Sequence, residues 1–191
     1  GHRRTDMIAA ALEQLKQEMQ HALESLRVEF AKVRTGRAST SLIEGVLVDY
    51  YGARTPLNQL ASLSAPEPRL LVVQPYDQSV MGDVEKAIYH ADLGLNPVND
   101  GKIIRIPIPE LTEERRKELV RKIRKIAEDY RVSLRNHRRD TNDYLKEMQK
   151  DKDITEDELR TAQDQVQKTT AAYIEKLDQI LKVKEEDLMS V

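Results

Sequence analysis

The stretch from residue 111 to residue 150 constrains the fold more than any other part of the chain. It contains no glycine or proline. Its apolar or core-sized residues recur at steps of three and four, which is the period of a helix with one buried face. At a rise of about 1.5 Å per residue such a helix is roughly 60 Å long, so it needs other long helices as packing partners. The predicted buried stripe is Leu119, Ile123, Ile126, Tyr130, Leu134, His137, Thr141, Leu145 and Met148.

The charged residues of this helix separate by sign. At about 100° per residue, five arginines fall within a sector of roughly 100°, and a group of acids falls on another side. Guanidinium groups suit phosphates and base edges, so this arginine face predicts a nucleic-acid interface; an ordinary solvated face that happens to be rich in arginine is the alternative. The face consists of Arg124, Arg131, Arg135, Arg138 and Arg139, and the acids are Glu118, Asp129, Asp140, Asp143 and Glu147.

The small net charge of −2 conceals a segmented distribution. Residues 1–37 carry +2, residues 38–110 carry −4, residues 111–150 carry +5 and residues 151–191 carry −5. The pattern predicts a chain that holds RNA on one side and meets a protein on another. The absence of cysteine excludes disulfides, thiol nucleophiles and thiolate metal sites. No apolar run approaches the roughly 20 residues of a membrane span, no signal peptide is visible, and the Gly1-His2 start predicts a tag remnant or a processed end.

Two further helices are expected to pack against this one. Residues 5–33 repeat apolar side chains at helical spacing and stop at Gly36, a residue that ends helices. The last helix begins at a capping box from Thr155 to Glu158, where Ile154 and Leu159 can form a hydrophobic staple. Three helices with one apolar face each bury those faces most simply as an antiparallel three-helix bundle.

The segment between the first two long helices has a different character. All seven prolines lie between residues 56 and 109, and short runs of β-branched and apolar residues alternate with turn residues. Ser79 is the expected cap of a short helix. The pattern predicts a small β/α/β domain inserted into the bundle, which makes the fold class α+β. Two connectors join the parts, so a hinge is expected, with a rigid elbow as the alternative. The strand candidates are residues 46–51, 54–57, 60–64, 70–73 and 103–106.

Nothing in the sequence indicates catalysis. The histidines, at positions 2, 21, 90 and 137, lack a neighbouring nucleophile or the spacing of metal ligands. No glycine-rich phosphate loop is present. The remaining alternative to an RNA-binding factor is a coiled-coil adaptor that binds only protein, but the α/β insert and the one-sided arginine face argue against it.

Eight sequence blocks, in order, resemble the ribosome recycling factor family. Together they extend across essentially the whole chain, which is far more than a chance motif match gives. One departure is His137, which stands where a branched aliphatic residue is usual; on the apolar stripe it is expected to be a core histidine. The blocks are KVRTGRAS (32–39), DYYG (49–52), TPL (55–57), QLAS (59–62), VEKAI (84–88), DLGLNP (92–97), LTEERRKEL (111–119) and VSLRNHRRD (132–140).

The resemblance implies an L-shaped monomer. Its long arm is the three-helix bundle, residues 1–36 and 108–191, and its short arm is the inserted domain, residues 37–107. It also implies binding to the large ribosomal subunit of the post-termination complex. There, with elongation factor G and GTP, such proteins split the ribosome into subunits so that mRNA and tRNA are released. The partner consumes the GTP, so no cofactor, metal or catalytic residue is expected, and the compartment is a bacterial cytoplasm or, for a processed form, an organelle matrix or stroma.

Matching positions carry the family's site residues onto this chain. Arg135, Arg138 and Arg139 match arginines that contact ribosomal RNA, and Arg131 shares their face. Arg34 and Arg37 match basic positions that also face ribosomal RNA, although their role can equally be to oppose the negative end of the preceding helix. The implied hinge consists of Thr35, Gly36, Ile106, Pro107, Ile108 and Pro109.

Overall fold

The computed structural model describes residues 2–189, and the chain forms two compact units. The first contains the residues up to Val33 together with Lys117–Glu186, and the second contains Arg34–Arg116 and the residues from Asp187 onward. The domain boundary predicted at residues 36/37 lies close to the unit boundary at residues 33/34. The boundary predicted at residues 107/108 lies before the second unit boundary, at residues 116/117. Within residues 2–189, no helix combines the length and the apolar character needed to cross a bilayer.

The helices are α1 (His2–Ala31), α2 (Met81–His90), α3 (Glu113–Lys150) and α4 (Glu156–Met189). The first unit consists of α1 and most of α3 and α4. Two contacts fix each direction. Glu18 and Glu29 of α1 meet His137 and Tyr130 of α3, so these helices run in opposite directions. Arg4 and Gln20 of α1 meet Glu158 and Tyr173 of α4, so these helices run in the same direction. Because α4 also runs opposite to α3, the helices form the predicted antiparallel three-helix bundle.

The predicted helix starts of α3 and α4 are confirmed. The Thr112 hydroxyl accepts a hydrogen bond from the Arg115 N–H at 3.1 Å. At α4 the Thr155 hydroxyl accepts from the Glu158 N–H at 3.1 Å, and the Glu158 carboxylate accepts from the Thr155 N–H at 3.0 Å. This reciprocal pair is the capping box expected from the sequence.

The buried stripe of α3 agrees with the prediction at its centre and differs at its edges. Ala127 is fully buried, whereas Ile126 and Tyr130 are half-buried because they line a shallow pocket beside Glu29 of α1. His137 is also half-buried, so the expectation of a core histidine is wrong. The apolar sector faces two helices at once, and residues at its margins are therefore only partly covered. Predicted positions that are buried are Leu119, Ile123, Leu134, Leu145 and Met148.

The described residues of the second unit form six strands, and α2 packs against them in a shared core. The hairpin of β1 (Leu47–Tyr50) and β2 (Ala53–Pro56) forms one small sheet. The other sheet is antiparallel and has the order β3-β4-β6-β5. Its core includes Leu71, Val73, Ile104 and Ile106 together with Val84 and Ile88 of α2. The remaining strands are β3 (Ala61–Glu67), β4 (Leu70–Pro75), β5 (Val98–Asn99) and β6 (Ile104–Pro107).

Two details of this unit correct the sequence analysis. The cap ahead of α2 is Asp77, not Ser79: the Asp77 carboxylate accepts from the Ser79 N–H at 2.9 Å, and a short 3₁₀ turn, Gln78–Val80, leads into α2. An aspartate at that position satisfies free N–H groups as well as a serine does. The strand β5 is absent from the strands predicted from the sequence, because two residues are too few to show a period.

Gly36 occupies a backbone conformation that most residues avoid. Its φ is +75°, and a Cβ added there would lie 3.1 Å from Cγ of Leu111. We expect Gly36→Ala to lower the free energy of unfolding by about 1–2 kcal/mol, because a left-handed conformation is strained for any residue with a Cβ. The control is Gly82→Ala in α2, where nothing lies within 4 Å of the added carbon and alanine should stabilise by up to about 1 kcal/mol. Urea unfolding of both variants measures the difference, and equal effects would contradict it.

Asp100 in the turn between β5 and β6 makes the second unit sensitive to acid. Its carboxylate accepts from the backbone N–H groups of Ile103 at 2.9 Å and Lys102 at 3.0 Å and pairs with Arg105. These contacts, that to Ile103 first, lower the pKa of Asp100 from 3.8 to about 2. A lowered pKa stabilises the fold above the unfolded value, and this contribution is lost as the pH falls through the folded value.

We therefore expect Asp100→Asn to be less stable than the unchanged chain at pH 5. The difference should shrink as the pH falls from about 4 toward 2, because the native carboxylate is then protonated. Urea unfolding across this range measures it. A difference that does not change with pH would show that Asp100 acts only through its shape.

Candidate nucleic-acid interface

The arginine face lies on one side of α3, beside α4. Three of its members are spaced by seven residues, about two helical turns, and each reaches a side chain of α4. Arg124 reaches Glu185, Arg131 reaches Asp178 and Arg138 reaches Gln167. The partner numbers fall as the arginine numbers rise, so these contacts form a ladder between antiparallel helices.

The first two rungs of this ladder are ion pairs. The Nε of Arg124 donates to Glu185 at 2.6 Å, and the hydrogen bond and charge of Glu185 raise the pKa of Arg124. The Nη2 of Arg131 donates to Asp178 at 2.6 Å, and its Nη1 donates to Glu128 at 2.7 Å. The hydrogen bonds that Arg131 donates to Asp178 and Glu128 raise its pKa, although burial acts in the opposite direction. The Arg131 side chain is only 20% exposed, which makes it the most strongly engaged member of the face.

The other arginines remain more available. Arg135 is 49% exposed and lies 3.5 Å from Glu128. Arg138 donates only to the neutral amide of Gln167, at 3.4 Å. Arg139 is exposed and forms no ion pair with any residue in the described range 2–189. Three guanidinium groups on one turn and a half of helix can therefore exchange their present contacts for phosphate oxygens.

Glu128 was missed by the sequence analysis. On a helical projection it falls at roughly 180°, inside the sector of the arginines. The signal was present, because Glu128 stands three residues before Arg131 and seven before Arg135, and such spacings bring side chains together on a helix. The interpretation that acids and arginines occupy separate faces is wrong at this position.

Two of the five acids on the acidic side of α3, Asp129 and Asp140, line grooves with residues of α1. Asp140 lines a groove with Met7 and Tyr144. At the same seam the Nδ1 of His137 lies 2.9 Å from the Glu18 carboxylate, and the His137 side chain is 31% exposed. His137 therefore belongs to a polar contact between α1 and α3, whereas the arginine face is the side of α3 next to α4.

Arg34 and Arg37 belong to the second unit. Arg34 is half-buried, and its Nη1 lies against Gly94, 3.6 Å from the position of an added Cβ. Arg37 is exposed and lies 3.5 Å from a carboxylate oxygen of Asp187 in the same unit. The six arginines predicted to bind RNA are thus divided, with four on α3 in the bundle and two in the second unit.

The predicted hinge residues occupy different environments. Gly36 is buried and Thr35 is half-buried after the end of α1. On the return path Ile106 lies in the sheet core, paired with Leu71, and the Ile108 N–H donates to the Arg69 carbonyl at 2.9 Å. Pro107 ends β6, and Pro109 is exposed beyond the last of these hydrogen bonds.

Comparison with known proteins places this arrangement in a family. The family model described as "Ribosome recycling factor" matches residues 26–189. A curated ribosome-recycling factor of Oceanobacillus iheyensis is 56% identical over 185 residues, which is 97% of this chain and 100% of that protein. The ribosome-recycling factor of Bacillus subtilis is 54% identical over the same shares.

Solved structures agree. A solution structure of the ribosome recycling factor superposes with a TM-score of 0.78 at 40% identity, covering 96% of this chain and 98% of the other. A second similar structure is a model of the T. thermophilus ribosome recycling factor and E. coli elongation factor G bound to the E. coli post-termination complex. It has a TM-score of 0.66 at 46% identity and covers 95% of this chain and 98% of the other. With the bundle, the sheet unit and the sequence blocks all in agreement, the chain belongs to the ribosome recycling factor family.

Proposed function

We propose that the chain binds the large ribosomal subunit of the post-termination complex. Together with elongation factor G and GTP it splits the ribosome into subunits, so that mRNA and tRNA are released. Family membership over nearly the whole chain supports this function. So does the similar factor that is bound, with elongation factor G, to a post-termination complex.

The observation that carries the RNA contact is the accessible part of the arginine face. Arg135, Arg138 and Arg139 lie on one side of α3, a helix of 38 residues whose opposite side is buried in the bundle. A rigid row of guanidinium groups matches the phosphates of a folded RNA, whose shape and backbone are what proteins read in double-stranded regions. Arg131 contributes charge to this interface while it remains tied to α4. Arg34 and Arg37 are proposed as a second contact with ribosomal RNA.

The proposed mechanism is mechanical, because the family is non-catalytic. Elongation factor G hydrolyses the GTP, and this chain receives the resulting force. We propose that the inserted β/α/β domain, residues 37–107, moves about the connectors at Thr35–Gly36 and at Ile106–Pro109. Gly36 supports this role through its unusual backbone conformation. On the return path Pro109 is the best-placed residue, because Ile106 and Ile108 are held by hydrogen bonds of the sheet.

The proposed compartment follows from the relatives. They come from bacteria such as Oceanobacillus iheyensis and Bacillus subtilis, so the bacterial cytoplasm is favoured over an organelle of bacterial descent. We also propose that the chain works as a monomer.

The test is a splitting assay on post-termination ribosomes. Light scattering should fall only when the chain, elongation factor G and GTP are all present, and the chain alone should pellet with large subunits. RNase treatment should abolish the pelleting. An adaptor that binds only protein would still pellet after this treatment. Hydrolysis of GTP by the purified chain without its partner, or unchanged scattering in the complete mixture, would overturn the proposal.

A further inference from the structure

A carboxylate lies within the row of arginines. Each oxygen of Glu128 takes one neighbour: Oε2 lies 2.7 Å from Nη1 of Arg131, and Oε1 lies 3.5 Å from Nη1 of Arg135. The Glu128 side chain is 52% exposed, so solvent, and any RNA on this face, reaches it. A phosphate that approaches Arg135 therefore meets a negative charge already in contact with that guanidinium.

We propose that Glu128 is a specificity-determining residue that competes with phosphate for the arginine face and keeps its affinity for RNA low. The proposal rests on the proposed function, because it assumes that this face meets RNA. Binding becomes an exchange in which Arg135 releases Glu128 and gains a phosphate. Glu128 lowers the affinity least for an RNA whose phosphates do not enter the space between Arg131 and Arg135. Glu128 therefore favours RNA shapes that keep their phosphates away from this space.

Glu128 has an alternative role that the geometry disfavours. It could hold the two arginines in a binding orientation, in which case its removal would weaken binding. Arg131 is already fixed from the other side by Asp178, through contacts at 2.6 and 3.1 Å. Arg135 is held only by the longer contact with Glu128, and exposed ion pairs of this kind shift an equilibrium by no more than about fivefold. Positioning by Glu128 is therefore weak, whereas its negative charge opposes every phosphate on the face.

The arginine face also contacts acidic residues of α4. Asp178 and Glu185 of α4 form ion pairs with Arg131 and Arg124, but both of these contacts also join two helices. Within residues 2–189, Glu128 contacts charged residues of α3 only. Its carboxylate can therefore be neutralised without removing an ion pair between these helices. This makes Glu128 the cleanest position at which to separate competition for RNA from stability of the bundle.

The experiment measures the affinity of the chain for large ribosomal subunits across a series of KCl concentrations. Glu128→Gln keeps the size of the side chain and one acceptor oxygen, and it removes the negative charge. We expect it to bind about three- to fivefold more tightly at low salt and to show a salt dependence steeper by up to about 0.9 of a unit, as expected for one additional phosphate contact. The matched control is Asp143→Asn, which removes the same charge from the acidic side of α3, where Asp143 is exposed. It should change the affinity much less.

Arg135→Gln in the same series separates this proposal from the one on which it depends. Weaker binding by Arg135→Gln would support the RNA interface. If, at the same time, Glu128→Gln binds no more tightly than the unchanged chain or than Asp143→Asn, the proposed competition is refuted. Weaker binding by Glu128→Gln would establish a positioning role and equally overturn the proposal. If Arg135→Gln binds like the unchanged chain, the interface itself is wrong, and so is the role of Glu128. Circular dichroism confirms that each variant is folded.

Discussion

Replacing Arg135 and Arg138 together with glutamate is expected to abolish binding to large ribosomal subunits while the bundle remains folded. Neither arginine is needed for a strong internal contact: Arg135 has a 3.5 Å pair with Glu128, and Arg138 donates to a neutral amide at 3.4 Å. Losses of this kind on an exposed surface cost little stability. The reversal removes two phosphate contacts and adds two charges that repel the RNA.

The expected size of the effect follows from counterion release. Each lost phosphate contact flattens the dependence of log affinity on log salt by about one unit. The double variant should therefore lose about two units of slope, and its affinity at moderate salt should fall by at least about 100-fold. Sedimentation with large subunits at several KCl concentrations measures both quantities.

A matched control places the same charge changes elsewhere on the bundle. Lys16 and Arg27 are exposed on α1, and their joint replacement by glutamate changes the net charge by the same amount. If this variant loses binding as strongly as the α3 variant, the effect is one of overall charge and the arginine face has no special role.

Leu134→Ala is expected to produce a large loss of stability in the bundle. Leu134 is fully buried in α3 and lies on the same helix as the arginines that surround it in sequence. Removing its branched end leaves a cavity in a packed core, which costs about 2–5 kcal/mol. A domain of this size has a total stability of only about 5–15 kcal/mol, so the variant should unfold at much lower urea concentration.

The comparison for that prediction is Val132→Ala, two residues earlier on the same helix. Val132 is 45% exposed, so its replacement should change the free energy of unfolding by no more than about 0.5 kcal/mol. Urea unfolding followed by circular dichroism ranks the two. Similar losses for Leu134→Ala and Val132→Ala would mean that the apolar stripe of α3 is not packed as described.

The local elements of this protein follow from short-range patterns in the sequence. A long helix between residues 111 and 150 was predictable because nothing there interrupts the period, and the caps at Thr112 and Thr155 were predictable because capping depends on residues three apart. The strands of the second unit were predictable from their β-branched runs and the turns between them, and the family from eight ordered blocks. Periodicity also located the arginine face.

The packing of α4 against α3 determines which of those arginines form short ion pairs and which form only longer contacts. The period of a helix tells which side a residue occupies but not which helix lies beside it, so the pairing of Arg131 with Asp178 and of Arg124 with Glu185 could not be anticipated. These partners lie 47 and 61 residues apart in the chain. A two-residue strand such as β5 forms because β6 offers it hydrogen-bond partners, and Ile106 belongs to the sheet core because Leu71 lies opposite. Contacts between distant segments depend on how the elements pack, and that information is not contained in any one of them.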